Sequence, residues 1–277
     1  MKVAIYNGLH EPGVAIKDKY DTMLDEFHGS GCEVVELGDD FSQAEGCDCL
    51  LSVGGDGTFL SASSMSLKSG IPVMGVNFGR VGFLSENRPE DVVRALVSGD
   101  YKVENSAVLS ASFEGNVPDE ASSFWPYAFN EFTVHRTGAA MLGVEVDIDG
   151  VSLPTYWADG LIVSTSSGST AYSLSAGGPI VLPESRVLII NPIAPHNLNI
   201  RPLIVPDTVT ISIRVLSRDG KAVFTADTRS MEIGEDVLIK LNVAQFSLKR
   251  VRLNDSNFIN ALTEKLHWGE DVRNVKK

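Results

Sequence analysis

"LLSVGGDGTFLSAS", residues 50 to 63, is an apolar run that ends in glycines and resumes as a helical pattern. Positions 54 to 57 hold three glycines, Gly54, Gly55 and Gly57, around one acid, Asp56. A strand, a glycine turn and a helix in succession form the layout of a phosphate-binding loop. Consecutive backbone N–H groups make an anion nest, glycine lets phosphate oxygens approach, and the helix adds its positive end. Two familiar versions do not fit. A P-loop needs Lys and then Ser or Thr after the last glycine, and Thr58 and Phe59 stand there. "GGDGTF" also lacks the G-x-G-x-x-G spacing of a dinucleotide loop. What remains is a phosphate loop with a carboxylate at its centre, although a carboxylate repels phosphate. Asp56 could hold a metal that bridges phosphates, or take a proton from a hydroxyl that attacks phosphorus. It could equally do no more than stabilise the strand-to-helix turn. The loop by itself leaves turn and chemistry even.

On either side of the loop the chain alternates between two periods. "KVAIY", "EVVEL", "CLLSV" and "IPVMGV" read as strands. Between them, Ile16, Tyr20, Met23, Leu24 and Phe27 fall at helical spacing, and "TFLSASSMSLKSG" reads as a helix. "PEDVVRALVSGD" opens with proline, carries acids in its first turn and ends at glycine, which is a helix with both ends marked. Alternating strands and helices predict an α/β domain with a parallel sheet, its ligand loop at the carboxyl ends of the strands. Near residue 101 the pattern changes. "VLSASF", "AFNEFTVHR", "VEVDID", "LIVSTS", "VLIINPI", "VTISIRV" and "VLIKLNV" are short strand-like runs separated by Gly, Pro, Asp and Asn, as in a β-rich, sandwich-like domain. The tail "SNFINALTEKLHWG" predicts an amphipathic helix with Ser256 as N-cap and Phe258, Ile259, Leu262 and Leu266 in one stripe, returning to the first domain. The expected division is 1–100 plus 254–277 as an α/β domain, and 101–253 as a β-rich domain.

The bulk composition narrows the function. The chain has 277 residues, 43% hydrophobic and 21% charged, a globular composition with room for two cores. Asp plus Glu number 36 against 23 Lys plus Arg, a net charge of -13. That surface repels polyanions and disfavours a nucleic-acid partner, while a small anion can still be met by oriented N–H groups or a metal. Cys32, Cys47 and Cys49 are an odd set without a ligand pair at zinc spacing, so reduced, buried thiols are expected. No apolar run approaches the length of a membrane span and no basic leader opens the sequence, so a cytoplasmic protein is expected.

A second glycine-rich cluster, "ADGLIVSTSSGSTAYSLSAGGPI", runs from 158 to 180. Asp159, hydroxyl residues from Ser164 to Ser175, and Tyr172 suit a nucleoside: carboxylate and hydroxyls for ribose, an aromatic face for the base. A tight Ser/Thr-rich turn without a ligand is the alternative. In "AFNEFTV", Asn130 and Glu131 interrupt an alternating strand. Adjacent residues on a strand face opposite ways unless the chain bulges, and an exposed strand face is the favoured reading. His196 lies in a Pro-rich loop, and His135 and Arg136 face either solvent or phosphate.

Taken together, these segments resemble the NAD kinase family. They are "GGDGT" at 54–58, "GVNFGRVGFL" at 75–84, "NE" at 130–131, "DGLIVSTSSGSTAYSLSAGGP" at 159–179 and "NPIAPHNL" at 191–198, in that order. The GGDGT loop is shared with lipid kinases and, loosely, phosphofructokinases; the long segment with Asn-Glu upstream is specific. The resemblance implies transfer of a phosphoryl group from ATP, with Mg²⁺ carried on its phosphates, to the 2′-hydroxyl of the adenosine ribose of NAD. It implies Asp56 as general base, with Gly54, Gly55, Gly57 and Thr58 around the nucleotide and Phe83 lining the pocket. Asn130 and Glu131 would hold NAD, with Asp159, Thr170, Ala171, Tyr172, Ser173, Ser175 and Ala194 completing the site. A homo-oligomer, dimer or tetramer, is implied as well. The sequence departs from the family pattern at Trp157, where many members carry a basic residue. It departs again at Ser166, often Pro, and at Asp227-Thr228-Arg229, where the bacterial pattern is Asp-Gly-Gln.

Overall fold

The computed structural model describes residues 1–9, 13–38, 41–79 and 82–268. Arg80 and Val81 of the "GVNFGRVGFL" match, and the tail beyond Trp268, lie outside the described residues. The chain forms two compact units, Met1–Asn105 with Leu248–Lys277, and Ser106–Ser247.

The first unit opens with β1 (Lys2–Asn7), α1 (Val14–Gly29), β2 (Glu33–Leu37), β3 (Cys49–Val53), α2 (Asp56–Ser69), β4 (Val73–Val76), α3 (Pro89–Ser98) and β5 (Tyr101–Ser106). The caps marked in the sequence are in place. Pro89 opens α3, and Gly70 and Gly99 close α2 and α3 in the left-handed conformation. The strands pair in the order β2-β1-β3-β4, all parallel. The path runs outward one way from β1 and the other way from β3, so the carboxyl ends of β1 and β3 flank a topological switch point. Successive strand residues alternate faces. Val3, Ile5, Leu51, Val53, Met74 and Val76 pack with Tyr20, Met23 and Phe27 of α1 and Val92, Val93 and Leu96 of α3.

The second unit comprises β6 (Leu109–Gly115), β7 (Tyr127–Ala128), β8 (Glu131–Arg136), β9 (Leu142–Ile148), β10 (Val151–Ser152), β11 (Tyr156–Ala158), β12 (Gly160–Thr165) and α4 (Tyr172–Ser175). It continues with β13 (Val187–Ile193), β14 (Leu203–Pro206), β15 (Ile211–Leu216), β16 (Lys221–Ala226), β17 (Arg229–Gly234) and β18 (Val237–Val243). Two antiparallel sheets, β10-β9-β15-β18-β6-β7 and β14-β13-β12-β8-β16-β17, share one apolar core, with Phe132, Phe224, Leu161 and Leu188 from one and Val144, Ile213, Ile239 and Leu241 from the other. The sequence "AFNEFTVHR" is not one strand: β7 and β8 are separated at Phe129 and Asn130.

The chain then returns. β19 (Leu248–Leu253) pairs parallel with β4 and lies beside β5 in the first sheet, and α5 (Phe258–Leu266) follows. The cap of α5 is Asn257, whose Oδ1 accepts from the Ile259 N–H at 2.8 Å, one residue later than the expected Ser256. Its inward face is also rotated from the expected stripe. Phe258, Ala261, Leu262 and Lys265 turn inward, while Ile259 is 54% exposed. All three cysteines are free and buried, and burial pushes the Cys49 thiol up to about 12, which leaves it unreactive. No helix among the described residues is long and apolar enough to cross a membrane.

Candidate active site

The glycine loop sits at the switch point because β3 ends there. Gly8, after β1, donates to the Val53 carbonyl at 2.9 Å, and Gly54 donates to the Val76 carbonyl at 2.9 Å. Thr58 fills the space between them. A Cβ on Gly8 would lie 2.5 Å from the Thr58 side chain, and one on Gly54 would lie 2.4 Å from it. Gly54 also has φ +149°, so both space and backbone exclude a side chain there. Gly55 is the N-cap of α2 and Asp56 its first residue. The first amides of a helix have no partner within it, so this end presents N–H donors and a positive dipole.

Asp56 does not cap its own helix. Its carboxylate reaches the loop after β4, where Oδ2 accepts the Phe83 N–H at 3.0 Å and Oδ1 accepts those of Leu84 at 3.1 Å and Ser85 at 2.9 Å. Glycines make room for this. A Cβ on Gly82 would lie 2.0 Å from Asp56 Oδ1, and one on Gly75 would lie 2.5 Å from the Leu84 carbonyl. Asn87 anchors the far end, with Nδ2 donating to the Gly75 carbonyl at 2.8 Å. A carboxylate offers about four lone-pair positions. Among the described residues three are used, two on Oδ1 and one on Oδ2, which leaves one position on Oδ2. The Phe83 ring packs against Phe258 of α5, centroids 6.3 Å apart, and under the Lys265 ammonium.

In the second unit, the Asn-Glu pair occupies the break between β7 and β8. Both side chains are buried, Asn130 at 5% and Glu131 at 8% exposure, which overturns the exposed-strand expectation. Asp227 holds the break open. It occupies the turn of the β16–β17 hairpin at φ +51°, and its carboxylate accepts the N–H groups of Phe129 at 2.8 Å, Asn130 at 2.8 Å and Glu131 at 3.2 Å. Arg229 donates to the Tyr127 carbonyl. The Asp-Thr-Arg departure therefore shapes the Asn-Glu segment. Asn130 Oδ1 and Glu131 Oε2 are buried without a hydrogen-bond partner. Burial, and secondarily the Asp227 charge, push Glu131 up to about 8. Burial also raises Asp227, against the three amides and Arg229, which favour its anion. At about 8, Glu131 carries a proton at neutral pH.

The hydroxyl-rich segment turns out to be mostly internal scaffolding. Thr165 Oγ1 donates to the Phe129 carbonyl at 2.8 Å, Ser166 to that of Pro183 at 2.9 Å and Ser169 to that of Val181 at 3.1 Å. Ser173 is fully buried, with Asn191 Nδ2 donating to its carbonyl at 2.9 Å. Thr170, Ala171, Tyr172 and Ser175 are the members that reach the surface. The Tyr172 ring stacks on His135 at 5.7 Å and 17° and stays 39% exposed. Burial lowers the His135 pKa, so the stacked imidazole is neutral near pH 7. Asp159 pairs with Arg136, Nε to Oδ1 at 2.7 Å and Nη2 to Oδ2 at 3.3 Å. With Trp157, His196 and Arg218 it lines a cavity of about 560 Å³. Ala194 follows β13 with φ +46°, a strained setting for a residue with a Cβ. Among the described residues no three His, Cys, Asp or Glu side chains gather as a metal site.

Comparison with known proteins decides the family. Residues 22–98 match the ATP-NAD kinase N-terminal domain, and residues 129–253 match the ATP-NAD kinase C-terminal domain. The chain belongs to the NAD kinase family. It is thereby an enzyme that phosphorylates NAD with ATP. An NAD kinase of Porphyromonas gingivalis is 35% identical over 98% of this chain and 99% of its own length. One from Flavobacterium psychrophilum is 38% identical over 82% of this chain and 78% of its own. A crystal structure of an NAD kinase from Archaeoglobus fulgidus in complex with ATP superposes with TM-score 0.76 at 28% identity, covering 92% of this chain and 94% of that one. A yeast NADH kinase complexed with NADH, 23% identical, shares the fold with TM-score 0.84 over 99% of this chain and 90% of that one.

Proposed function

We propose that this NAD kinase transfers the γ-phosphoryl group of ATP to the 2′-hydroxyl of the adenosine ribose of NAD, with Asp56 as general base. The observation that carries the assignment is the occupancy of the Asp56 carboxylate. Three backbone N–H groups fix it in place, and one lone pair remains on Oδ2. A residue that only stabilised its turn would spend its acceptors on the α2 amides; Asp56 instead is held rigid by a separate loop. The ribose oxygen forms its bond to the γ-phosphorus, the bond to ADP breaks, and the hydroxyl proton passes to Oδ2. The amides at the start of α2, from Gly55, Gly57 and Thr58, oppose the phosphate charge, beside Gly54. Magnesium, as part of the ATP substrate, neutralises the triphosphate.

In the second unit the unpartnered atoms of Asn130 and Glu131 supply one acceptor and one proton-bearing oxygen for NAD. Tyr172 offers its exposed face to a base, flanked by Thr170, Ala171 and Ser175. Ser173 acts from beneath, holding the turn. Asp159, already paired to Arg136, serves a ribose through whatever acceptor capacity that pair leaves, with Ala194 on the next loop. The test is a coupled assay with ATP, Mg²⁺ and NAD. Asp56→Asn should keep the fold and NAD affinity, lower the melting temperature by the loss of at least one cradle bond, and lose on the order of 10²- to 10⁴-fold in turnover. Turnover of that variant near wild type would sink the general-base role.

A further inference from the structure

Lys265 on α5 is a half-buried cation that the reaction scheme above does not use. Its Nζ donates to the Gly82 carbonyl and lies 4.7 Å from the centroid of the Phe83 ring. The Gly82 carbonyl and the Phe83 N–H belong to one peptide group, and that N–H donates to Asp56 Oδ2 at 3.0 Å. A cation therefore sits at one end of a peptide dipole and the reactive carboxylate at the other. Hydrogen bonds in series polarise one another, so an ammonium on the carbonyl makes the N–H a stronger donor. We infer that Lys265 is a positioning residue for phosphoryl transfer, which acts through the Gly82–Phe83 peptide to fix Asp56 Oδ2 and set its readiness to take a proton. The inference rests on the reading of Asp56 as base.

The surroundings direct Lys265 to that carbonyl. Phe258, seven residues earlier on the same face of α5, packs on the Phe83 ring from the same helix. Glu86, the neighbouring acid, is claimed by arginines. Arg252 pairs with it through Nε at 2.7 Å and Nη2 at 3.1 Å, and Arg250 lies 3.8 Å from it. The charges acting on Lys265 are thus Glu86 and Asp56, which favour its ammonium, and Arg250 and Arg252, which oppose it together with burial. Residue 265 lies outside both stretches matched by the family models, 22–98 and 129–253.

The experiment compares wild type, Lys265→Met, Lys265→Arg and Asp56→Asn in the full chain. For Lys265→Met, kcat should fall on the order of tenfold, with the KM values for ATP and NAD and the melting temperature little changed. Lys265→Arg should recover most of the loss. An NMR readout independent of turnover is the Phe83 amide proton, which should move upfield in Lys265→Met and not in Lys265→Arg. Wild-type kcat and an unmoved Phe83 amide in Lys265→Met overturn the inference. So does a loss that appears only as raised KM or lowered melting temperature and is not recovered by Lys265→Arg. A fully active Asp56→Asn would instead overturn the reading of Asp56 itself.

Discussion

Replacing Glu131 by Gln tests whether the buried acid of the Asn-Glu pair is neutral. Glu131 is 8% exposed, and its Oε2 has no hydrogen-bond partner. Its folded pKa is pushed up to about 8, from the ordinary 4.5, by burial and by the Asp227 carboxylate. The native state therefore retains a proton that the unfolded chain releases above the ordinary value. Between these two pH values the native state binds more protons than the unfolded state, so stability falls as pH rises. The slope is about 1.4 kcal/mol per pH unit, or about 3 kcal/mol between pH 5 and pH 7. Gln has the shape of the neutral acid and never ionises. The gap in stability between Glu131→Gln and wild type should be small at pH 5, reach about 3 kcal/mol in favour of Gln by pH 7, and level off above the folded pKa. Urea denaturation at pH 5, 7 and 9 measures this, followed by fluorescence of Trp125 and Trp157, two of the three tryptophans, both in the second unit. A gap that does not change with pH, or one that widens in favour of Glu131 as pH rises, refutes the argument.

Two further substitutions probe the carboxylate cradles. Gly82→Ala places a Cβ 2.0 Å from Asp56 Oδ1, so either the loop or Asp56 must move. Misplacing a reacting group by about 1 Å costs on the order of 10²-fold in rate, and kcat for NADP formation should drop by that order while the circular dichroism spectrum stays native. Asp227→Ala strips the acceptor from three amides and places alanine at φ +51°. Loss of these charge-assisted bonds should destabilise the second unit by roughly 3 kcal/mol or more, whereas Asp227→Asn, which tolerates that backbone and keeps one acceptor oxygen, should recover part of the loss in the same denaturation assay.

Most of the first unit was legible because its signals are local. Helix caps such as Pro89 and Gly99, and the strand–glycine–helix layout at residues 50–63, are written within about a dozen positions, where periodicity and backbone preferences act. At the candidate site the sequence shows residue types but not their wiring. Asp56 was singled out, yet its partners lie 27 to 29 residues away and are backbone amides, which no side-chain pattern announces. Asp227 holds the Asn-Glu pair from 96 to 98 residues away, and Lys265 meets Gly82 across 183. The hydroxyls at 165, 166, 169 and 173 read as ligand groups because Ser and Thr are polar. In the fold the first three satisfy backbone carbonyls and an amide that a chain so rich in turns leaves without sheet partners, and the Ser173 hydroxyl meets the Asn191 side-chain amide. The same need explains α5. A stripe of apolar residues predicted Leu266 inward, but the carbonyl of Gly82 draws Lys265 inward instead.

Two acids, one in each unit, solve one problem in opposite ways. Asp56 and Asp227 each accept three consecutive backbone N–H groups, from residues 83–85 and 129–131. Three amides aimed at one carboxylate fix both partners, because neither can rotate without breaking the set. In the first cradle the amides hold the acid, the group proposed to act. In the second the acid holds the amides, and the groups left unpartnered are on the side chains those residues carry, Asn130 and Glu131. The difference follows from charge. Asp56 is surrounded by donors and, through one peptide, by a cation, a setting that suits the proposed base. A group that must give a hydrogen bond to a ligand acceptor gains from being neutral. Burial, and secondarily the Asp227 charge, with the N–H donors spent on Asp227, raise the pKa of Glu131 and keep the acid so. The chain thus sets which carboxyl is held and which is left dry by where it sends its amides.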